Sequence, residues 1–305
     1  MDEIESILDL ADKMKANPAA YRDTMHGRIL ATLFFEPSTR TRLSFESAML
    51  RLGGKVLGFP DAGVSSASKG ETVADTIRII SCYADIAAMR HPKEGAPLRA
   101  SLYSKIPVIN AGDGGHSHPT QTLLDMMTIR RRKGRLDNLT IGFCGDLKFG
   151  RTVHSLIKSL ARYDNVKFVL ISPEELRVPD YIINEVLEPR GIPYIETRNL
   201  EGALPDLDIL YMTRVQRERF TDLMEYERVK NVYILRNKML EHTRPNLRIL
   251  HPLPRVNEIA YDVDDNPKAY YFQQAQNGLY AREAILCDVL GITLDEVKKS
   301  KGVIQ

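Results

Sequence analysis

The feature that most restricts the fold of this chain is a regular alternation of short apolar segments with longer segments of helical periodicity. The apolar segments, which have the length of buried strands, are residues 29–35, 85–89, 107–110, 140–144, 167–171, 208–213 and 248–250. The helical segments are residues 45–52, 74–83, 119–133, 153–160 and 274–290. Repeated β-α alternation of this kind predicts an α/β protein in which helices cover both faces of parallel sheets.

The pattern restarts after Gly134, at the end of one predicted helix. A length of 305 residues is also twice the usual size of one domain, which is roughly 150 residues. We therefore expect two doubly wound parallel-sheet domains, residues 1–133 and 134–271. The last helical stretch, about 272–305, has no strand after it, and we expect it to return and complete the first domain.

A basic run from Arg130 to Lys133 ends the helix before Gly134 and resembles a nucleic-acid-binding patch. Cations at the C-terminus of a helix also interact favourably with the helix dipole, and this explanation fits better. The chain has 42 Lys and Arg against 40 Asp and Glu, a formal net charge of +2. So small an excess disfavours a protein that coats nucleic acid.

The three cysteines, Cys82, Cys144 and Cys287, lie far apart and form no CxxC pair, which disfavours a disulfide framework or a cysteine zinc site. The histidines show no metal-ligand spacing either, so we expect no metal. The first residues lack the basic-then-apolar order of a signal peptide, and no apolar run reaches the roughly 18 residues of a membrane span. These features favour a reducing, cytoplasmic compartment and no membrane partner.

The first segment with chemical character is Ser38-Thr39-Arg40-Thr41-Arg42, which follows a predicted strand and begins a helix. In open α/β sheets, ligands bind beyond the carboxyl ends of the strands. Hydroxyls, guanidiniums and the N–H groups of a helix N-terminus together favour a phosphate-like anion. A bare Ser-Thr-Arg is as well explained by a helix cap and a solvated charge, but the longer run in this setting is more specific.

Ser38-Thr39-Arg40-Thr41 resembles the carbamoyl-phosphate signature of the transcarbamoylase family. The other landmarks of the family follow in order at residues 69–72, 89–92, 118–121, 150–152 and 251–255. The resemblance covers essentially the whole chain. It implies two α/β domains with the active site in the cleft between them.

The resemblance implies that Arg40, Thr41, Lys69, Arg90 and His118 are the catalytic residues. It also implies that carbamoyl phosphate is bound by Ser38, Thr39, Arg40, Thr41, Ser65, Arg90, His118, Gln121, Pro252, Leu253 and Pro254. In the family, the histidine contacts the carbamoyl oxygen, while the glutamine and the carbonyls of the Pro-Leu pair contact the carbamoyl nitrogen. Without the resemblance, Arg90 would be read as a surface charge and His118-Pro119 as a helix start. Gly115-His116-Ser117 departs from the commoner Ser-Asn-Gln at this point.

Lys69 ends a loop of small residues, 62–70, in which a lysine would by default be solvated. In the family this loop reaches the active site of the neighbouring subunit, where the lysine contacts both substrates and an upstream serine binds phosphate. Ser65, four residues before Lys69, matches that serine, and its neighbour Ser66 remains an alternative. The resemblance therefore implies a homotrimer with shared active sites. Regulatory chains accompany the catalytic chain in part of the family.

In the second predicted domain, glycines at 142, 145 and 150 do not give the G-x-G-x-x-G spacing of a dinucleotide site. The resemblance instead implies that Arg151 and Arg214 bind the carboxylates of aspartate, assisted by Gln216 and Lys69, with Glu218 orienting the arginine loop. The ornithine branch of the family has a cysteine where this chain has Pro252, and a Ser-Met-Gly signature that this chain lacks. Two arginines also suit a dicarboxylate better than a second amine.

The resemblance thus implies transfer of the carbamoyl group of carbamoyl phosphate to the α-amine of L-aspartate. The products are N-carbamoyl-L-aspartate and phosphate, in an early step of de novo pyrimidine biosynthesis, and no cofactor is expected. Two alternatives remain: a transcarbamoylase for another amino acid, and a catalytically silent relative that only binds metabolites. The intact set of basic residues argues against the silent relative, since a scaffold would not need them together.

Overall fold

The apolar segments form two separate parallel sheets in the computed structural model, which describes residues 2–292. The first sheet contains β1 (Ile29–Phe34), β2 (Lys55–Phe59), β3 (Ile86–His91) and β4 (Val108–Asp113), in the order β2-β1-β3-β4. The second contains β5 (Thr140–Cys144), β6 (Lys167–Ile171), β7 (Tyr194–Thr197), β8 (Ile209–Met212) and β9 (Arg248–Leu250), in the order β7-β6-β5-β8-β9. All neighbouring strands are parallel, which confirms the predicted fold class.

The helices of the first half of the chain are α1 (Asp2–Ala16), α2 (Thr39–Arg51), α3 (Val73–Ile80), α4 (Ala96–Tyr103) and α5 (Pro119–Lys133). Those of the second half are α6 (Arg151–Leu160), α7 (Asp180–Ile182), α8 (Leu200–Ala203), α9 (Leu223–Val229) and α10 (Tyr271–Val289). A π-helical turn, Ile183–Leu187, continues α7. No helix among residues 2–292 is both long and apolar enough to cross a membrane.

Each sheet reverses its winding direction next to its first strand. The chain passes from β1 outward to β2 and then returns to β3 on the other side of β1, and the second sheet does the same around β5 and β8. With right-handed crossovers, the helices on the two sides of this point lie on opposite faces of the sheet. Ligands of doubly wound sheets bind at the carboxyl ends of the strands at such a switch point.

Two edge strands were not predicted from the sequence. β2 and β7 lie at the outer edges of their sheets, and their residues are half-buried or exposed throughout. An edge strand packs on fewer neighbours, so it needs fewer apolar residues and leaves a weaker pattern. The central strands β5 and β6 are buried from their second residue onward, and their predicted bounds are confirmed.

The described residues form two compact units, residues 2–127 with 276–292, and residues 128–275. In the first unit, Leu33 and Met89 of the sheet pack against Ile77 of α3 and Ala100 of α4. In the second, buried Leu210, Met212 and Ile249 are part of one cluster with Leu200 and Leu235.

The part of α10 that belongs to the first unit is held there by polar contacts. Asn277 accepts a hydrogen bond from Lys15 of α1. Arg282 donates to Ser44 Oγ of α2 at 3.3 Å, and its guanidinium lies 5.2 Å from the centre of the Phe45 ring. Residues 293–305, where the predicted last helix ends, lie outside the described residues.

Candidate active site

The predicted phosphate-binding segments of the first unit all lie at one edge of the first sheet. Ser65 and Lys69 follow β2, Ser38 follows β1, Arg90 lies near the end of β3, and His118 follows β4. In a parallel sheet the carboxyl ends of all strands meet at the same edge. Arg90 pairs in register with Phe34, so it stands beside the end of β1 at the switch point of the sheet.

Ser38 occupies the N-cap position of α2, with extended backbone angles, and its carbonyl accepts the first helical hydrogen bond from Arg42 N–H at 3.1 Å. Its side chain, however, makes no capping hydrogen bond. Thr41 in the first turn is buried, whereas Thr39 and Arg40 are exposed. The helix therefore begins where a cap residue is expected, but the hydroxyl that would satisfy its first N–H groups is not used for that purpose.

Arg90 is the most enclosed cation of this edge. Its side chain is 11% exposed, and Nη2 lies 3.1 Å from Glu36 Oε2. Burial lowers the pKa of Arg90, against the opposing attraction of the Glu36 carboxylate. Its Nε is buried and donates to no atom among the described residues. A buried donor of this kind is costly unless a ligand accepts from it, so Arg90 is suited to binding an anion.

A buried carboxylate, that of Asp113, shapes the loop that leads to His118. It accepts hydrogen bonds from Gly95 N, Asn110 Nδ2, Ser117 N and Ser117 Oγ at 3.0 to 3.2 Å. Burial alone would raise the pKa of Asp113, but these hydrogen bonds outweigh it and the pKa is lowered. Exposed His116, in the tripeptide that departs from the family pattern, places Nδ1 3.2 Å from the same carboxylate.

His118 and Gln121 are both buried at the start of α5. Gln121 Nε2 donates to Asp125 Oδ1 at 2.9 Å, one turn further along the helix. Asp125 is fully buried and attracts the guanidinium of Arg282, whose pKa burial lowers to about 10. Since the amide nitrogen of Gln121 is engaged by a carboxylate, Oε1 is the atom left to accept a hydrogen bond from a ligand.

The small-residue loop after β2 forms two short 3₁₀ turns, Ala62–Val64 and Ser66–Lys69. Ser65 joins them: its Oγ donates to Ala62 O at 2.8 Å and accepts from Ala67 N at 3.3 Å. Ser66 and Lys69 are exposed. The loop is thus ordered by local hydrogen bonds and leaves Lys69 exposed, and the hydroxyl of Ser65 is part of those bonds.

The predicted ligand-binding residues of the second unit, for aspartate and for the carbamoyl group, lie at the carboxyl ends of three adjacent strands of its sheet. Arg151 begins α6 after β5, Arg214 and Gln216 follow β8, and Pro252 to Pro254 follow β9. The structure therefore brings the predicted residues of this unit to one edge, again at the switch point of the sheet.

Asp146 ties the loop after β5 to the loop after β8. It is fully buried, Oδ1 accepts from Phe149 N at 2.9 Å, and Oδ2 accepts from Gln216 N at 3.2 Å. Gln216 Nε2 in turn donates to Phe149 O at 2.9 Å. A Cβ at Gly145, which has φ +120°, would lie 2.3 Å from Thr213 O, so only glycine permits this approach. Burial of the Asp146 carboxylate raises its pKa despite these hydrogen bonds.

Arg214 forms a two-pronged ion pair with Glu218, in which Nη1 lies 3.0 Å from Oε2 and Nη2 contacts Oε1. The hydrogen bonds that Arg214 donates to Glu218 raise the pKa of Arg214 and lower the pKa of Glu218. The Arg214 side chain is 28% exposed, so a ligand carboxylate has access to it. Glu218 thus contacts the arginine of the loop that it is predicted to orient, and that role stays a prediction.

The loop after β9 is held by a histidine and a buried acid. His251 Nδ1 accepts from Leu253 N at 2.7 Å, and Nε2 lies 2.7 Å from Glu258 Oε1. Because a backbone N–H can only donate, Nδ1 carries no proton and Nε2 is the donor to Glu258. Burial would raise the pKa of Glu258, but the bond from His251 outweighs it and the pKa is lowered. This pair fixes the backbone whose Pro252 and Leu253 carbonyls are predicted ligand contacts.

Four buried or half-buried acids that organise these loops were missed in the sequence: Glu36, Asp113, Asp146 and Glu258. Two of them carried a signal, since Glu36 and Asp146 each lie two residues after a strand and precede predicted basic ligands. Among residues 2–292, no group of three or more His, Cys, Asp or Glu side chains is placed to hold a metal ion.

Comparison with known proteins identifies the family of this chain. Residues 1–131 match the family model described as the aspartate/ornithine carbamoyltransferase carbamoyl-P binding domain, and residues 137–289 match the Asp/Orn binding domain of the same family. The chain is 62% identical to the aspartate carbamoyltransferase catalytic subunit of Clostridium acetobutylicum, over 96% of this chain and 95% of the relative. It is also 62% identical to that of Lachnoclostridium phytofermentans, over 97% and 96%.

Solved structures give the same result. The catalytic subunit of M. jannaschii aspartate transcarbamoylase is 51% identical, with a TM-score of 0.89 over 95% of both chains. Aspartate transcarbamoylase from Trypanosoma cruzi, in complex with carbamoyl phosphate and aspartate, is 38% identical, with a TM-score of 0.87 over 93% of this chain and 91% of that chain. On its sequence, its two-sheet architecture and these matches, the chain belongs to the aspartate/ornithine carbamoyltransferase family.

Proposed function

We propose that this chain transfers the carbamoyl group of carbamoyl phosphate to the α-amine of L-aspartate, giving N-carbamoyl-L-aspartate and phosphate. The observation that carries the proposal is the placing of Ser38, Thr41, Arg90 and His118 at the carboxyl edge of one parallel sheet. The Trypanosoma cruzi relative is described in complex with these two substrates.

The phosphate group is proposed to bind at the N-terminus of α2. The helix spans thirteen residues, and Ser38 at its cap makes no side-chain hydrogen bond to its first turn. The dipole and first N–H groups of such a helix attract a phosphate, and a hydroxyl not used for capping adds one donor. Arg40 and Arg90 supply the charge, and Arg90 Nε supplies a buried donor that otherwise lacks an acceptor among the described residues.

The carbamoyl group is proposed to lie between donors for its oxygen and acceptors for its nitrogen. Thr41, Arg90 and His118 donate to the oxygen, on which negative charge develops as the amine attacks. Gln121 Oε1 accepts from the nitrogen, because Asp125 holds the other end of that amide. The carbonyls of Pro252 and Leu253, in the loop held by His251, are the remaining acceptors, and Pro254 sets the turn.

Aspartate is proposed to bind through Arg151 and Arg214, with help from Gln216 and Lys69. Two guanidiniums attract a dicarboxylate and repel the second amine of ornithine. The amine then attacks the carbamoyl carbon, and phosphate leaves and takes the amine proton, so neither a covalent intermediate nor a separate base is required. Holding both anions in the attack geometry supplies much of the acceleration.

The proposal includes a homotrimer in which Lys69 and Ser65 act in the active site of a neighbouring subunit. The loop that carries them is exposed at Lys69 and is ordered by local hydrogen bonds. Mixing two inactive variants, Arg40→Ala and Lys69→Ala, under conditions of subunit exchange tests this, because shared sites regenerate wild-type sites in mixed rings. Activity that stays at the level of the separate variants contradicts sharing.

An assay of the purified chain with carbamoyl phosphate and aspartate tests the function itself. We expect N-carbamoyl-aspartate, and a loss of about a hundredfold or more in Arg40→Ala, since one such donor commonly contributes that much. Arg42→Ala is the matched control, because Arg42 Nε pairs with Glu46 at 2.8 Å on the same helix. Turnover of ornithine in place of aspartate, or no product at all, contradicts the proposal and favours one of the two alternatives.

A further inference from the structure

A buried histidine of the second unit has no part in the proposed chemistry. His154 lies in the first turn of α6, three residues after Arg151, and is 6% exposed. Its Nε2 lies 2.7 Å from Leu147 O, and its Nδ1 lies 2.9 Å from the hydroxyl of Tyr181. Both ring nitrogens are therefore engaged, one by the loop that precedes Arg151 and one by α7.

The partners determine the protonation of the ring. A carbonyl oxygen can only accept, so Nε2 carries the proton and donates to Leu147 O. Nδ1 then accepts from the Tyr181 hydroxyl. Burial lowers the pKa of His154, which agrees with a neutral ring. The direction of both hydrogen bonds is thus fixed, from Tyr181 through His154 to Leu147.

The hydrogen bond from His154 completes the fixation of the loop between β5 and α6. Leu147 N donates to Leu176 O at 3.1 Å, so both backbone groups of Leu147 are bound. On one side of Leu147, Asp146 is anchored to Phe149. On the other side, His154 N donates to Gly150 O at 3.1 Å and closes the first turn of α6. His154 therefore joins the helix that begins with Arg151 to the loop that enters it.

We propose that His154 is a positioning residue for aspartate: by holding Leu147 O, it fixes the loop and first helical turn that present Arg151 to a substrate carboxylate. This inference rests on the proposed function, because it takes Arg151 to be a carboxylate ligand. A histidine that served only to stabilise the core would change the affinity for both substrates alike or for neither. A positioning residue for Arg151 changes the affinity for aspartate selectively.

Three variants separate these roles. His154→Gln keeps an amide N–H near the position of Nε2, so it retains the bond to Leu147. His154→Leu removes both hydrogen bonds and has a side chain of similar volume. If the leucine variant fails to fold, His154→Asn is used instead, because its amide is too short to reach Leu147. Leu160→Ala is the control for stability alone, since Leu160 is fully buried at the far end of α6.

Steady-state kinetics give the readout. We expect His154→Leu to raise the KM for aspartate about tenfold, because the buried hydrogen bond to Leu147 O is lost, with the KM for carbamoyl phosphate within about twofold of wild type. His154→Gln should restore the KM for aspartate to within about twofold of wild type, and Leu160→Ala should lower the Tm without a selective change in KM. Equal changes for both substrates, an unchanged KM for aspartate, or a His154→Gln variant as impaired as His154→Leu overturn the inference.

Binding of succinate, a dicarboxylate without the reacting amine, gives a second readout that needs no turnover. Calorimetry in the presence of phosphate should show the Kd for succinate raised about tenfold in His154→Leu and restored in His154→Gln. If the wild-type chain forms no N-carbamoyl-aspartate, the proposed function fails, and this comparison still decides the role of His154. An unchanged Kd for succinate in His154→Leu overturns the inference whatever the catalytic result.

Discussion

The basic residues at the carboxyl edges of the two sheets are held in different ways. At the first, the cap hydroxyl of Ser38 makes no bond to its helix and Arg90 Nε has no acceptor among the described residues. At the second, both prongs of Arg214 are held by Glu218, and the loop around Arg151 is tied by Asp146 and His154. At the first edge Arg90 keeps Nε without an acceptor among the described residues, although Glu36 pairs with its Nη2, whereas at the second edge both terminal nitrogens of Arg214 are paired with Glu218.

The difference matches the ligands proposed for the two edges. A phosphate has several equivalent oxygens, so donors that converge from a helix N-terminus and from Arg90 are satisfied in more than one orientation. An amino-acid dicarboxylate must be bound in one orientation, with its amine directed at the carbamoyl carbon. Arg214, fixed by Glu218, loses less side-chain freedom when the ligand binds, which favours a precise geometry over initial attraction.

The largest expected effect on activity is at the carboxyl edge of the first sheet. Arg90→Ala should lower kcat about a hundredfold to a thousandfold, because it removes a buried donor at the position where charge develops. Arg99→Ala, which removes an exposed arginine of the same unit, is the matched control and should leave kcat near wild type. A loss of less than tenfold in Arg90→Ala in the standard assay contradicts the distinction between the two edges.

The next largest effect is at the carboxyl edge of the second sheet, and it should change a KM rather than kcat. Arg214→Ala should raise the KM for aspartate about a hundredfold, since a charge-assisted contact to a substrate carboxylate is lost, and should leave the KM for carbamoyl phosphate nearly unchanged. Arg219→Ala, five residues away and exposed, serves as control. Equal increases in both KM values would show that the two edges do not serve separate substrates.

The sequence predicted the parts of the fold that have a strong periodic signal. Central strands such as β5 and β6 were predicted with their observed bounds, because their runs are apolar and buried. The edge strand Tyr194–Thr197 was missed because half-exposed strands need no apolar run. The placing of Arg90 and His118 at one edge followed from their positions at strand ends, combined with the family resemblance.

The acids that hold the site together could not be predicted in the same way. Glu258 acts on Leu253 only through His251, and Asp146 acts on Gln216 across seventy residues of sequence. Such contacts depend on which loops the sheet order makes neighbours, and periodicity does not encode that order. The hydroxyl of Ser38 is a similar case, because its cap position was predictable but the missing capping bond was not.

A smaller effect tests whether the hydroxyl of Ser38 serves carbamoyl phosphate rather than its own helix. Ser38→Ala should raise the KM for carbamoyl phosphate about tenfold while changing the free energy of unfolding by less than about 0.5 kcal/mol, because no capping bond is lost. Asn199→Ala is the opposite control: Asn199 Oδ1 accepts from Gly202 N at 2.9 Å, so its loss should cost about 1 kcal/mol and leave the KM unchanged. A Ser38→Ala variant destabilised as much as Asn199→Ala would return Ser38 to the role of an ordinary cap.

The smallest expected effect is on the pH dependence of stability. The contributions of Asp113 at the first edge and Asp146 at the second should change with pH in opposite directions. The pKa of Asp113 is lowered from 3.8, so the stability that this carboxylate contributes is present above that pH and is lost as the pH falls through its folded pKa. The pKa of Asp146 is raised from 3.8, so its contribution is present below that pH and is lost as the pH rises through its folded pKa. Carboxyl NMR of ¹³C-labelled aspartate, assigned with Asp113→Asn and Asp146→Asn, should show the first titrating below 3.8 and the second above it. The structure gives the reason for this order of pKa values: Asp113 accepts hydrogen bonds from both backbone and side-chain donors, whereas Asp146 is fully buried. A higher pKa for Asp113 than for Asp146 would contradict the contrast between the two edges.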